Sequence, residues 1–244
     1  MFVQDSIRRL AFRVGFNVGD VKFDLGDDPY SAIRELTGLL PIKTIVDVGA
    51  FEGQTTLQLN SEFPNATIYS IEPYIDAFKK LEKCTKEFPN IHPCNIALSD
   101  DGGIRELYIR NKKAGNSLLK NSDEIDEHIV PHTCDITGKQ DVSVWRLSSF
   151  CNHHNIKTID ILKLDAQGCE LDILEGASML LRTSVIRFVY LEVLFVSLYK
   201  DQGYFEDILK IMRHSGYRLF SLYDIHNDRE GIKWADALFY GGYC

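Results

Sequence analysis

Apolar runs and amphipathic stretches alternate along the chain in an order that predicts strands separated by helices. The run from Ile42 to Val48, broken only by Lys43 and Thr44, suits a strand buried on both faces, and helix-forming residues resume after Gly53. A sharp turn must lie between them, where Gly49 and Gly53 can take positive φ and let a ligand approach the backbone. Thr55 to Asn60 then predicts a helix and Ala66 to Ile71 a second strand ending at Glu72-Pro73. Tyr74 to Lys86 predicts the next helix, and Ile91 to Leu98 a third apolar stretch ending in the turn-rich cluster Ser99 to Gly103. This rhythm is that of a doubly wound, mostly parallel α/β sheet with helices on both faces.

The rhythm breaks between Gly103 and Asn155. Ile104 to Ile109 and Val142 to Leu147 read as strands, while Asn111 to Gln140 mixes Gly, Asn, Ser, His and Pro over far more residues than a plain connection needs. The stretch of about residues 103–147 is therefore expected to be an insertion that faces the substrate. Alternation returns with a strand from Ile159 to Asp165, a helix from Glu170 to Arg182 and a strand from Val185 to Val193 that carries Glu192. Tyr204 to Ser215 reads as an amphipathic helix stopped by Gly216, and Tyr217 to Tyr223 with Ala235 to Tyr240 as a hairpin-like pair at the sheet edge. Before Ile42, Ile7, Leu10, Ala11 and Val14 recur at helical spacing, and Asp28-Pro29 reads as the N-cap and first residue of a helix to Leu40. The expected organisation is a helical extension over residues 1–41 and one domain over 42–244.

Composition narrows the partners. A net charge of −8 over 244 residues disfavours a protein that grips phosphate backbones by bulk positive charge, so nucleic acid is not the expected partner. Six scattered cysteines without a Cys-x-x-Cys pair suit free thiols in a reducing cytoplasm. No apolar run reaches the length of a membrane span, and charged residues interrupt the place where a signal peptide would need its apolar core. A cytoplasmic protein is the expectation.

The candidate chemistry sits at the strand ends. Asp47-x-Gly49-x-x-x-Gly53 differs from a nicotinamide-binding fingerprint, because Phe51 and Gln54 stand where two further glycines are required. Asp47 at a strand tip can pair with an ammonium, and the amides around Gly49, Ala50, Phe51, Gly53 and Thr55 can receive a carboxylate. Alternatively, Asp47 caps the following helix. Glu72, 25 positions later at the next strand tip, can accept hydrogen bonds from both hydroxyls of a ribose. An amino acid joined to a nucleoside describes S-adenosylmethionine. Asn95 and Ala97, at the end of the third apolar stretch, would border its adenine.

With these residues, the segments Asp47 to Gly53, Ile71-Glu72-Pro73, Ala97 to Asp100, Asn116-Ser117 and Ile161 to Ala177 together resemble the FkbM family of S-adenosylmethionine-dependent methyltransferases. The resemblance covers about Thr44 to Glu192. It implies a Rossmann-like class I methyltransferase sheet and O-methylation of a sugar, glycan or natural-product hydroxyl. Two positions depart from the family pattern: Gln167 replaces a Glu, and Ser148 follows Leu147 where the family has Asp. The former motivates a second reading, a module that binds the cofactor without turnover.

Methyl transfer to an alcohol needs alignment and removal of a proton. Asp165, at the end of its strand beside the expected methyl group, is the first candidate both to contact the cofactor and to orient or deprotonate the acceptor, and Glu192 is the second. A divalent cation such as Mg²⁺ bridging the two is an alternative, although no metal ligand set is assigned. Lys163, on an otherwise apolar strand, requires a polar partner, such as a carboxylate near the active face. His128, His132 and Cys134 have approximate metal-site spacing, but Pro131 interrupts the helix that would align them. His153-His154 at a helix end, and Tyr199, Tyr204, Trp145 and Trp234 as a sugar platform, are weaker candidates than solvent exposure and core packing.

Overall fold

The computed structural model describes residues 28–38, 40–123 and 135–241. They fall into two units, 28–36 and the remainder from Thr37 onward. The first holds most of helix α1 (Pro29–Thr37). Its N-terminus is capped as the Asp28-Pro29 pair predicts: the amides of Tyr30 and Ser31 donate to the Asp28 carboxylate at 3.2 and 2.9 Å. The helix expected around Ile7 to Val14 lies outside the described residues.

The second unit is built on a seven-stranded sheet of order β3-β2-β1-β7-β8-β10-β9. These strands are β1 (Thr44–Val48), β2 (Thr67–Ile71), β3 (Ile91–Cys94), β7 (Ile159–Leu164), β8 (Ile186–Leu194), β9 (Arg218–Asp228) and β10 (Gly231–Tyr240). Parallel pairing joins β3, β2, β1, β7 and β8, and β10 is antiparallel to both its neighbours. This is the expected mostly parallel α/β sheet with helices on both faces, and the final hairpin forms its edge. The antiparallel strand itself lies one place in, with β9 outermost. The connecting helices are α2 (Gln54–Glu62), α3 (Ile75–Thr85), α4 (Leu147–His153), α5 (Glu170–Gly176), α6 (Ser178–Arg182) and α7 (Phe205–His214). Among the described residues, no helix is long and apolar enough to cross a membrane.

Every residue of β7 is buried. At its N-terminal end Asp160 accepts from the amides of Lys43 and Thr44 at 2.7 and 3.0 Å and from Arg187 Nη1 at 2.6 Å, which pins β1, β7 and β8 together at that end. At the other end the order reverses. The chain passes from β1 outward to β2 and β3, then from β7 outward to β8, so the carboxyl ends of β1 and β7 flank the switch point where open α/β sheets bind ligands.

Three expected elements are drawn differently. Ile91 to Leu98 divides into β3 and a short β4 (Ala97–Leu98), because Asn95 Nδ2 donates to the carbonyls of Glu72 and Pro73 and pulls the chain out of the ladder. β4 joins a second sheet, β4-β6-β5, with β5 (Gly103–Arg110) and β6 (Ile136–Trp145). Leu147 begins α4 and does not end β6. The helix expected from Glu170 to Arg182 is interrupted at Ala177, next to Gly176, where a Cβ would approach the Ser99 carbonyl oxygen to 2.6 Å.

Gly49 leaves β1 with φ 78°, and a Cβ there would collide with the Asp165 carbonyl, so the two central turns touch only because this residue has no side chain. Gly49→Ala is expected to cost at least about 2 kcal/mol. Urea denaturation should show a lower midpoint at an unchanged slope.

Candidate functional site

A cavity of about 210 Å³ opens at the switch point. One side is formed by the turn after β1, the tip of β2 and β4; the other by the turn after β7 and the segment from Lys113 to Leu118. Of the residues expected at the cofactor, Gly49, Ala50, Phe51, Thr55, Glu72, Ala97 and Asp165 line it. Asp47, Gly53 and Asn95 do not.

Glu72 is the polar centre of the first side. Its two oxygens accept from the amides of Phe51 and Tyr74, each at 2.8 Å, which fixes the carboxylate and leaves further lone pairs for a ligand. Phe51 must adopt φ 47° to direct its N–H there, a conformation disfavoured for a side chain of that size. Burial pushes Glu72 up to about 7, against the pull of those two amides.

The residues outside the lining support those inside it. Asp47 is fully buried and accepts from Thr56 Oγ1, the third residue of α2, at 2.6 Å, so it ties β1 to the helix start through a hydroxyl rather than a backbone cap. Its Oδ1 has no hydrogen-bond donor among the described residues. Gly53, at φ 98°, brings α2 against Leu81 and Cys84 of α3. Asn95 holds the Glu72-Pro73 turn.

Asp165 dominates the other side. Lys163 Nζ donates to its Oδ2 at 3.0 Å and Gln167 Nε2 to its Oδ1 at 2.7 Å, while 41% of the Asp165 side chain stays accessible. Lys163 thus has the carboxylate partner that its burial demands. Burial opposes ionisation of Asp165, but Lys163 and Gln167 outweigh it and hold the group below the usual carboxylate range. Glu192 is in the opposite condition. Burial, then the charges of Asp165, Glu170 and Asp236, push it well above that range. It sits behind Gln167, whose Nε2 is 3.5 Å from Oε2. Glu170 closes the turn, accepting from the amides of Ala166 and Gly168 at 2.6 and 2.9 Å.

Lys113, Asn116, Ser117 and Leu118 complete the lining, from a segment that sequence periodicity left irregular. Its organiser is Arg110, a fully buried guanidinium that donates to Asn121 Oδ1 and the carbonyls of Gly115 and Leu119 at 2.8–2.9 Å and lies over the Tyr199 ring. Ser117 Oγ docks the segment onto the Gln167 carbonyl at 2.7 Å. Asn116 Oδ1 accepts from the Arg110 amide, and its Nδ2 has no acceptor among the described residues, which leaves it free to donate to a ligand.

The histidines lie elsewhere. His153 and His154 pack with Trp145, Phe150 and Tyr69 away from the cavity. His128, His132 and Cys134 fall outside the described residues. Trp234 stacks on His226 in the final hairpin, Tyr204 caps α7 through Asp207, and Tyr199 donates to Gln167 Oε1 at 2.7 Å. Among the described residues no three His, Cys, Asp or Glu side chains are grouped to hold a metal ion.

The family model of the methyltransferase FkbM domain matches residues 47–219, more than half of the chain. The chain belongs to the FkbM methyltransferase family. Methyltransferase 1 of Beauveria bassiana is 29% identical over 145 residues, 54% of this chain and 57% of that protein, so the match spans little more than half of the fungal relative. The 2-O-methyltransferase NoeI of Sinorhizobium fredii is 23% identical over 187 residues, 73% of this chain and 72% of that protein. The METTL16 methyltransferase domain has a similar fold, with a TM-score of 0.50 at 10% identity over 88% of this chain and 66% of that one.

An S-adenosylmethionine-dependent methyltransferase must hold a ribose, an ammonium and a carboxylate, and the residues present fit the ribose best. Glu72 has lone pairs for vicinal hydroxyls, and Gln54 and Thr55 at the start of α2 line the cavity, whereas the amides of Gly49, Ala50, Phe51 and Gly53 already donate within the protein and Asp47, whose Oδ1 has no donor among the described residues, is fully buried outside the lining. Ionised Glu72 accepts from two hydroxyls better than the acid does. Affinity for S-adenosylhomocysteine should therefore rise as pH climbs through about 7, by about tenfold at most between pH 6 and 8, and the dependence should vanish in Glu72→Gln. The unliganded protein should show the opposite sign. Its raised Glu72 contributes stability that is complete below the ordinary carboxylate value of 4.5 and lost as pH rises through about 7. Calorimetric titration and thermal unfolding across this window check both.

Proposed function

We propose that this methyltransferase transfers the methyl group of S-adenosylmethionine to a hydroxyl of a sugar, glycan or natural-product acceptor. The observation that carries the reading is Asp165: a carboxylate held ionised by Lys163 and Gln167, accessible from the cavity that Glu72 and the Gly49 turn line from the other side. The activity of NoeI, a 2-O-methyltransferase, supports an oxygen acceptor.

S-adenosylmethionine supplies an electrophilic methyl on a sulfonium centre. With the cofactor bound, Glu72 would accept from the ribose, and Gly49, Ala50, Phe51 and Thr55 would line the amino-acid end, with Asp47 buried beneath them. Asn95 acts at the adenine side only through the Glu72-Pro73 turn, Gly53 only by placing α2, and Ala97 forms an apolar wall. Asp165 would accept the hydrogen bond of the acceptor hydroxyl, align its oxygen and take its proton as the oxygen–methyl bond forms and the methyl–sulfur bond breaks, with S-adenosylhomocysteine leaving. Glu192 backs this carboxylate through Gln167 and does not touch the acceptor. The described part of the insertion that lines the cavity, Leu107 and Lys113 to Leu118, would form the acceptor side, with Asn116 Nδ2 available to a second acceptor oxygen and Lys113 among the lining residues.

Incubation with methyl-tritiated S-adenosylmethionine and a panel of methyl hexopyranosides and oligosaccharides tests the reading. Label should enter a hydroxyl, and Asp165→Asn should lower kcat by about 10²-fold or more while S-adenosylhomocysteine affinity stays within about threefold. Undiminished kcat in Asp165→Asn removes it from the reaction. Cofactor binding without transfer to any acceptor favours a module that binds and does not turn over.

A further inference from the structure

The least ordinary residue of the acceptor side is Gln167. Its backbone is in the left-handed region at φ 53°, followed by Gly168 at φ 95°, where a Cβ would meet the Tyr199 ring at 2.6 Å. Its carbonyl accepts from Ser117 Oγ at 2.7 Å and its Oε1 from Tyr199 OH at 2.7 Å. The remaining end, Nε2, lies 2.7 Å from Asp165 Oδ1 and 3.5 Å from Glu192 Oε2. Asp165, held ionised by Lys163, can only accept, so the amide must present nitrogen to it and oxygen to Tyr199.

An amide that donates to Asp165 and turns its second hydrogen toward Glu192 lies between the two acids, where a cation bridging them would sit. From the geometry we propose that Gln167 is a positioning residue whose side-chain amide substitutes for a bridging divalent cation between Asp165 and Glu192, so that the acceptor site works without a metal. The proposal rests on the methyltransferase reading for its consequence, but the arrangement of the amide can be tested apart from it. With Oδ1 tied to Gln167 and Oδ2 to Lys163, the Asp165 carboxylate cannot rotate, and its accessible face stays toward the cavity. Glu192 Oε2 lies at the long limit of a hydrogen bond from the same amide. The groups around the bridge are Lys163 and Asp165 on β7 and its turn, Glu192 on β8, Asp236 on β10, Glu170 on α5 and Asp47 on β1. Replacing the amide by a third carboxylate would set like charges against one another, and only a cation or a proton could relieve them.

The test uses the 244-residue chain, Mn²⁺ as probe metal and S-adenosylhomocysteine as probe cofactor. In electron paramagnetic resonance titrations at pH 8, wild type should bind Mn²⁺ only weakly, whereas Gln167→Glu should gain a saturable site at least about 30-fold tighter, lost again on adding Asp165→Asn. Calorimetry with S-adenosylhomocysteine, expected within about threefold of wild type throughout, shows that the variants are folded. With methyl glycosides as acceptors, EDTA should leave wild-type kcat unchanged, and Gln167→Asn, which tolerates the left-handed backbone but falls short of Asp165, should lower kcat about tenfold or more at little altered KM. A wild-type Mn²⁺ site as tight as that of Gln167→Glu, no site gained in Gln167→Glu, or wild-type turnover abolished by EDTA and restored by Mg²⁺ each overturns the proposal. A wild type that binds S-adenosylhomocysteine but methylates no glycoside defeats the acceptor class proposed above, and the Mn²⁺ titration still decides the role of the amide.

Discussion

One buried ammonium group, Lys163, constrains the rest of the site. It lies on the strand with no exposed residue, and an unpaired charge there would cost several kcal/mol. The pairing register settles where the compensation comes from: Asp47 of β1 stands opposite Lys163, Asp165 follows two residues on, and Tyr190 of β8 is its partner on the other side, bonded to Asp236 at 2.6 Å. Ser70 of β2 joins the row through Thr56 at 3.1 Å. A polar belt therefore crosses the central strands beneath the cavity. Burial lowers the proton affinity of Lys163, but Asp165 and Asp47 more than restore it, so the positive charge persists and keeps Asp165 ionised.

This asymmetry leaves two acids in one neighbourhood in different states. Asp165 is ionised and reaches the cavity; Glu192, desolvated and crowded by like charge, favours its proton and stays behind Gln167. Environments that push two titratable groups apart are the usual way one site separates its roles. The backbone pays a comparable strain on both sides of the switch point. Phe51 and Gln167, in the turns after β1 and β7, are both left-handed without being glycine, at about 1–3 kcal/mol each, and both are locked by hydrogen bonds that define the cavity.

Much of the fold was legible because strand and helix periodicities differ and each apolar run ended in a turn signal. Acids at strand ends were legible too: Glu72 and Asp165 read as ligand-facing and line the cavity, whereas Asp47, read the same way, is fully buried outside the lining. Lys163 announced itself as a charge on an apolar strand. The acceptor side was less accessible. Lys113, Asn116 and Leu118 stand in a segment without periodicity, and what orders it is Arg110, which in sequence looks like a surface charge at a strand end and in the fold is wrapped by carbonyls. Asn95 and Gly53 were read as ligand contacts from their positions after strands, but nearby backbone carbonyls engage the first and α3 covers the second. Long-range partners of this kind leave no local pattern. Gln167 stood out only as a departure from a family pattern, and its bonds to Asp165 and Tyr199 give that departure a physical form.

The central claim is that the cavity places a methyl donor between Glu72 and Asp165. A crystal structure of the full chain with S-adenosylhomocysteine tests it most directly. The account predicts ribose hydroxyls within hydrogen-bonding distance of the Glu72 carboxylate and the sulfur directed toward the space in front of Asp165. A ribose held by another residue, or a sulfur facing away from Asp165, would contradict it.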